Sequence, residues 1–277
     1  MELLRASFLR SEKLQKHIRF LYEKGSIYLA YNNNLLYHGC IPMNSDGTFK
    51  EVTLAGQKVK GKSLMDLADK IARDAFNARK GSKAKEYGED FLWFLWCGCF
   101  SPVYGKNKMT TFERYFIEDE STGVEIKDNY YTLIEQRKVC NMILEEFGIP
   151  KDAFSHIING HVPVKIKTGD SPIKAGGKLL VIDGGLSRAY QKVTGLAGYT
   201  LLFNSHGLLL SAHETFVSAE SAIQKEKDIY STLDVIDLAP KRLLIEDTDS
   251  GKIQAKKIQD LKALVEAYNS GKIRQVF

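Results

Sequence analysis

Disulfide scaffolding is the first thing this sequence has too little material to build: there are four cysteines in 277 residues, Cys40, Cys97, Cys99 and Cys140. Small secreted scaffolds are far denser in cysteine, so free thiols are expected. Cys97 and Cys99 are separated by one residue with no second pair nearby, which does not fit a structural zinc site. Proline is scarce as well, six residues scattered along the chain, and no stretch reads as an interdomain linker. No internal repeat is present. The longest apolar stretches, Phe91 to Trp96 and Leu208 to Leu210, fall far short of the roughly 18–20 residues that cross a bilayer. The amino-terminal MELLRASFLRSEKLQKH mixes charges into its apolar positions and does not read as a secretory signal. These absences predict no membrane span and a cytoplasmic location. A large excess of either charge is lacking too, with 39 Lys and Arg against 34 Asp and Glu. A net charge of +5 without lysines interleaved with aromatics does not indicate nucleic-acid binding, and mildly favours anionic ligands.

What the chain does have is enough apolar material, 44%, for a substantial core. Residues 11–23 carry Leu14, Ile18 and Leu21 at helical spacing. Segments 26–31 and 35–38 flank three asparagines and predict a hairpin. Ser63 and Asp66 look like a capping box for a helix closed by Gly81. Further helices are predicted over 87–97, from Thr132 to Gly148, over about 217–229 and over 254–269. Strands are predicted over 155–159, 178–183, 199–204 and 208–212. This is an α/β pattern with a mixed sheet, read as one unit over 1–277: a helical lead-in to residue 25, a sheet with inserted helices over 26–245, and a terminal helix. The stripe Trp93, Phe94, Trp96 and Phe100 is expected to be core. His206 and His213 read as surface or structural residues.

Two other histidines stand at predicted strand ends beside glycines, His38 in LLYHGCIP and His161 in IINGHVPVK. Ligands of open α/β sheets gather beyond strand ends, and glycine lets backbone approach a metal or phosphate. A lone histidine so placed is otherwise a satisfied polar residue ending a strand. Asp183 ends the apolar LLVID before two glycines, where it either supports a metal ligand from behind or caps the turn.

The runs LLYHGCIPMN, LWCGCFSPVYGKNKMTTFERYF, IINGHVPVK and GKLLVIDGGLSRAYQ resemble, in order, blocks of class III fructose-1,6-bisphosphatases of the calcineurin-like metallophosphatase superfamily. The resemblance covers nearly the whole chain and corresponds to the carboxyl-terminal part of the family pattern. It implies a metallophosphatase-like sandwich with flanking helices. It also implies that His38 and His161 are ligands of a binuclear divalent centre, manganese being the first choice. The activity implied is hydrolysis of fructose 1,6-bisphosphate at the 1-phosphate, in gluconeogenesis, by in-line attack of metal-activated water. A bisphosphate needs several cations. The resemblance and the loop contexts nominate Arg114, Arg188, Lys106 and Lys108 for substrate; Lys165 also qualifies, although VKIK alternates like an exposed strand face.

The superfamily's Asp-x-His, Gly-Asp-x-x-Asp and Asn-His blocks are not found, and 37 residues before His38 are too few to hold them. No catalytic residue is therefore assigned within the chain. The expectation is a separately encoded or truncated piece completed by an amino-terminal metallophosphatase segment, inactive alone and prone to associate as an oligomer. The alternatives are a degenerate relative, or a non-catalytic subunit that binds a sugar phosphate without turnover.

Overall fold

Apolar periodicity and local capping explain most of the elements in the computed structural model, which describes residues 2–151, 154–183, 198–213, 218–224, 226 and 231–274. They divide into two compact units, the first comprising residues 1–30, 34–164 and 171–183, and the second 31–33, 165–170 and 184–277.

The first unit opens with helices α1 (Glu2–Arg10) and α2 (Glu12–Lys24); Ser11 caps α2 by accepting the Leu14 N–H at 3.4 Å. Strands β1 (Tyr28–Tyr31) and β2 (Asn34–Tyr37) form the predicted hairpin. Asn32 and Asn33 take φ of 48° and 60°, the left-handed values that a two-residue turn between twisted strands requires. A second hairpin, β3 (Val52–Leu54) and β4 (Gln57–Val59), leads into α3 (Gly61–Asn77) and α4 (Lys83–Cys97). Val52, Leu54, Val59, Leu64, Ala68, Ile71, Phe91 and Leu95 make one buried cluster between them. The two helices meet at Gly88, where a Cβ would lie 2.1 Å from that of Ala75.

Helix α3 starts earlier than its apparent capping box suggests. Ser63 sits in the first turn and accepts the Lys60 N–H at 3.1 Å, while Asp66 bonds Lys62 and Tyr28 instead. The expected aromatic core stripe is corrected in part: Trp93 and Trp96 are 61% and 57% exposed, whereas Phe94 and Phe100 are partly buried against the cluster. The inward face of α4 is set by Gly88, Phe91 and Leu95, and consecutive bulky residues cannot all share it.

After α5 (Thr111–Phe116), the single helix predicted from Thr132 is two, α6 (Tyr130–Leu133) and α7 (Arg137–Glu146). Asp128 accepts the Tyr130 N–H at 2.9 Å and starts α6 early, extended Gln136 interrupts the run, and Glu135 pairs with Lys174 rather than closing a cap. Then come β5 (His156–Asn159), β6 (Ile173–Lys174) and β7 (Leu179–Val181). The sheet order is β1-β2-β5-β7-β6, with β2, β5 and β7 parallel and β6 antiparallel to β7. Leu35, Ile157, Leu179 and Leu180 are almost completely buried. A mixed sheet in an α/β chain is thus what forms.

In the second unit, residues 166–168 make a 3-10 turn rather than an exposed strand face. Strands β8 (Gly198–Asn204), β9 (Gly207–His213) and β10 (Ser231–Leu238) form an antiparallel sheet with β9 central and a bulge between Val235 and Asp237. Between β9 and β10 only α8 (Ala219–Gln224) of the helix predicted over 217–229 is described; Val217 and most of its end lie outside the described residues. Helix α9 (Asp249–Asn269) begins before its expected start because Thr248 caps it, accepting the Gly251 N–H at 3.0 Å. Its apolar face, Ile258, Leu261, Val265 and Tyr268 among others, is exposed. No described helix is long and apolar enough to cross a membrane.

Candidate metal centre

Three parallel strands end side by side, with Tyr37, Asn159 and Val181 in register across β2, β5 and β7. One or two residues beyond these ends come His38, His161 and Asp183, where an open sheet gathers ligands. All three line one cavity of about 560 Å³.

His161 Nδ1 lies 3.1 Å from His38 Nε2, and the rings cross at 82°. His161 Nε2 lies 2.9 Å from the Tyr104 carbonyl oxygen, which can only accept, so Nε2 carries the proton and Nδ1 presents its lone pair. His38 Nε2–H then donates to that lone pair. His161 holds φ of 69°, a left-handed backbone that turns its ring back toward His38. Gly160 makes room: a Cβ there would sit 3.3 Å from His38 Nδ1. Burial, and next the neighbouring His38, lower the proton affinity of His161 against the Tyr104 bond and the Asp183 charge, which raise it. A neutral imidazole is the ligating form.

The nitrogen spacing of the pair, once the proton between them has moved to His38 Nδ1, lies in the range that two ligands of one divalent ion require. Two nitrogens each about 2.0–2.1 Å from one ion stand about 3–3.4 Å apart, and a ligating imidazole ordinarily donates its other N–H to a carbonyl or carboxylate. The 3.1 Å separation and the Tyr104 bond meet both conditions. Among the described residues no group of three or more His, Cys, Asp or Glu is placed to hold a metal.

The basic loop is organised by a residue that sequence reasoning missed. Glu125 accepts from Lys106 Nζ at 2.6 Å and from Thr110 N and Oγ1 at 3.0 Å each, with Arg114 3.9 Å away. Burial raises its carboxyl, but the Lys106 and Thr110 bonds outweigh burial and bring it down to about 2. Lys106 nonetheless bears on His161, contributing to its lowered proton affinity. Lys108 Nζ donates to the Thr122 carbonyl, and Arg114 to that of Gly123. Lys165 belongs to the second unit, and Arg188 lies outside the described residues. His206 is exposed and His213 bridges Thr200 and Ser231 hydroxyls across β8, β9 and β10.

Asn159 and Tyr104 were also missed. Asn159 was visible as a polar residue ending an apolar strand directly before Gly160 and His161. No local spacing signals Glu125 as the partner of a lysine nineteen positions earlier.

No solved structure matches the chain. A family profile described as Firmicute fructose-1,6-bisphosphatase matches residues 1–270. Similar relatives include the class 3 fructose-1,6-bisphosphatase of Clostridium novyi (strain NT), 55% identical over 272 residues, which cover 98% of this chain and 41% of that protein. That of Clostridium botulinum (strain Langeland / NCTC 10281 / Type F) is 54% identical over 275 residues, and that of Clostridium tetani (strain Massachusetts / E88) 53% over 275, each covering 99% of this chain and 41% of the relative. The chain thus spans about two-fifths of the length of these relatives. With a profile matched across residues 1–270, the chain belongs to the Firmicute fructose-1,6-bisphosphatase family.

Proposed function

We propose that this chain supplies part of the centre of a divalent-metal fructose-1,6-bisphosphatase, with His38 and His161 as two of the ligands. The observation that carries this reading is the 3.1 Å approach of His38 Nε2 to His161 Nδ1 at adjacent ends of parallel strands. The names of the relatives, each a class 3 fructose-1,6-bisphosphatase, support the substrate. When bound, a pair of divalent ions, manganese first, supplies Lewis acidity toward phosphoryl oxygens and acidifies water.

The chain's own part is to bind and orient. To serve as a ligand through Nε2, His38 would carry its proton on Nδ1 instead, while the Tyr104 carbonyl keeps the Nε2 proton of His161 in place and its ring aimed. Asp183, in the same cavity, offsets the cationic surroundings of His161. Lys106, Lys108 and Arg114 take the phosphates of fructose 1,6-bisphosphate, with Glu125 holding Lys106 and Thr110 until an anion competes. Lys165 and Arg188 are assigned to substrate on the resemblance alone. The remaining ligands come from an amino-terminal segment of a metallophosphatase-like sandwich that this chain does not contain, in a cytoplasmic oligomer.

A second reading, a non-catalytic sugar-phosphate-binding module, is favoured by the absence of a complete ligand group among the described residues. Release of phosphate from fructose 1,6-bisphosphate with Mn²⁺ separates the two. The chain alone is expected to show negligible turnover. Mixing it with the remainder of a relative's polypeptide restores turnover, and His38→Gln in the mixture abolishes it. Robust turnover by the 277 residues alone overturns the account of the missing ligands, and no turnover in the mixture favours the module.

A further inference from the structure

The histidine pair is only as well placed as the two strand ends that carry it, and one buried side chain ties those ends together. Asn159, 5% exposed, is the last residue of β5, two positions before His161, and lies opposite Tyr37 in the parallel register. Its Nδ2 faces three consecutive carbonyl oxygens of the turn that carries His38: Tyr37 at 3.1 Å, His38 at 3.1 Å and Gly39 at 2.8 Å. Only the amide nitrogen can face three acceptors, so two N–H bonds are shared among three carbonyls that otherwise repel one another. The Asn159 main-chain carbonyl meanwhile accepts the Ile182 N–H at 3.0 Å, next to Asp183, and Gly160 N–H reaches the His38 carbonyl at 3.2 Å. One residue therefore fastens the ends of β2, β5 and β7 where their histidines and aspartate emerge.

We propose that Asn159 is a positioning residue, the clamp that holds the His38 backbone so that its Nε2 meets His161 Nδ1. Beyond Tyr37 the ladder ends and the main chain reaches His38 through the Gly160 N–H at 3.2 Å, whereas the Asn159 amide spans all three carbonyls of the turn. Without the amide, three carbonyls turned toward one point repel one another against the single Gly160 bond to the middle one, and His38 moves with its own carbonyl. A merely structural asparagine would stabilise the sheet without setting the distance between the two imidazoles.

The metal arm of the test rests on the reading of the pair as ligands; the first arm does not. Through-hydrogen-bond coupling in ¹⁵N spectra of the metal-free chain reports the His38–His161 contact directly. Asn159→Ala is expected to lose that coupling, and Asn159→Ser, which retains one donor, to weaken it; coupling unchanged in a folded Asn159→Ala chain overturns the clamp. The second arm titrates Co²⁺ by its visible absorption. Asn159→Ala is expected to raise the dissociation constant about 10–100-fold, the usual effect of removing a group that orients a ligand, and Asn159→Ser to fall between. Unchanged affinity overturns the proposal. If the wild-type chain and His38→Gln take up Co²⁺ alike, the ligand reading fails and the first arm alone decides the clamp. If neither variant folds, exchange of the Asn159 side-chain amide protons in the wild-type chain decides: slow exchange supports the clamp and solvent-fast exchange overturns it.

Discussion

Replacing Glu125 by glutamine keeps the shape and reach of the side chain that organises the basic loop while removing its charge. The carboxylate takes Lys106 at 2.6 Å and both donors of Thr110 at 3.0 Å, and its own side chain is 13% exposed. Burial raises its proton affinity, but these bonds prevail and carry it from an ordinary 4.5 to about 2. Each tenfold change in proton affinity is worth about 1.4 kcal/mol, so the unscreened figure is about 3 kcal/mol of folded-state stability. Lys106 is 30% exposed, and solvent screening reduces this to about 1–2 kcal/mol. A carboxyl held down in the folded state stabilises fully above the unfolded value near 4.5, and that contribution disappears as pH falls through about 2. Urea denaturation of the wild-type and Glu125→Gln chains should therefore differ by about 1–2 kcal/mol at pH 7, with the gap more than halved at pH 3. A gap that does not change with pH would refute the charge-pair account. No gap at pH 7 would show that Lys106 is not committed to Glu125.

His156 is 2% exposed, and burial, with Lys178 second, pushes it down to about 4. The unfolded chain takes up a proton near 6.5 that the folded chain refuses, so stability falls as pH drops from about 6.5 to about 4. Thermal melts of His156→Gln should lose that decline, worth up to about 3 kcal/mol, and an equally steep decline contradicts the assignment. On α4, Phe91→Ala should cost about 3–5 kcal/mol and Trp93→Ala under about 1 kcal/mol, because the first is buried and the second is not. Equal costs by denaturant titration would return the tryptophan to the core.

The sequence made the element types legible wherever a local cause dominates: the helical spacing over 11–23, the asparagines of a tight turn, the apolar runs of β8 and β9. It misled where tertiary partners redirect a local signal. Ser63 and Asp66 look like a reciprocal cap, yet Lys62 and Tyr28 claim the aspartate. Neighbouring aromatics on α4 suggest a core stripe, yet helical geometry sends Trp93 outward while Phe91 packs. Strand β10 was not expected at all, since its residues 231–238 mix Asp234 and Asp237 among apolar positions as an exposed edge strand does. At the site, His38 and His161 were legible because histidine beside glycine at a strand end is an unusual local pattern. Glu125 and the Tyr104 carbonyl were not, because their importance comes only from distant segments folding against each other.

The central claim is that two imidazoles share one divalent ion. Titration of Mn²⁺ into the chain, following loss of the free-ion electron paramagnetic resonance signal, tests it most directly. His38→Gln and His161→Gln should each weaken binding at least about tenfold, with the double variant little worse than either single one, because the first loss already breaks the shared site. Either single variant binding Mn²⁺ as the wild-type chain does would contradict it.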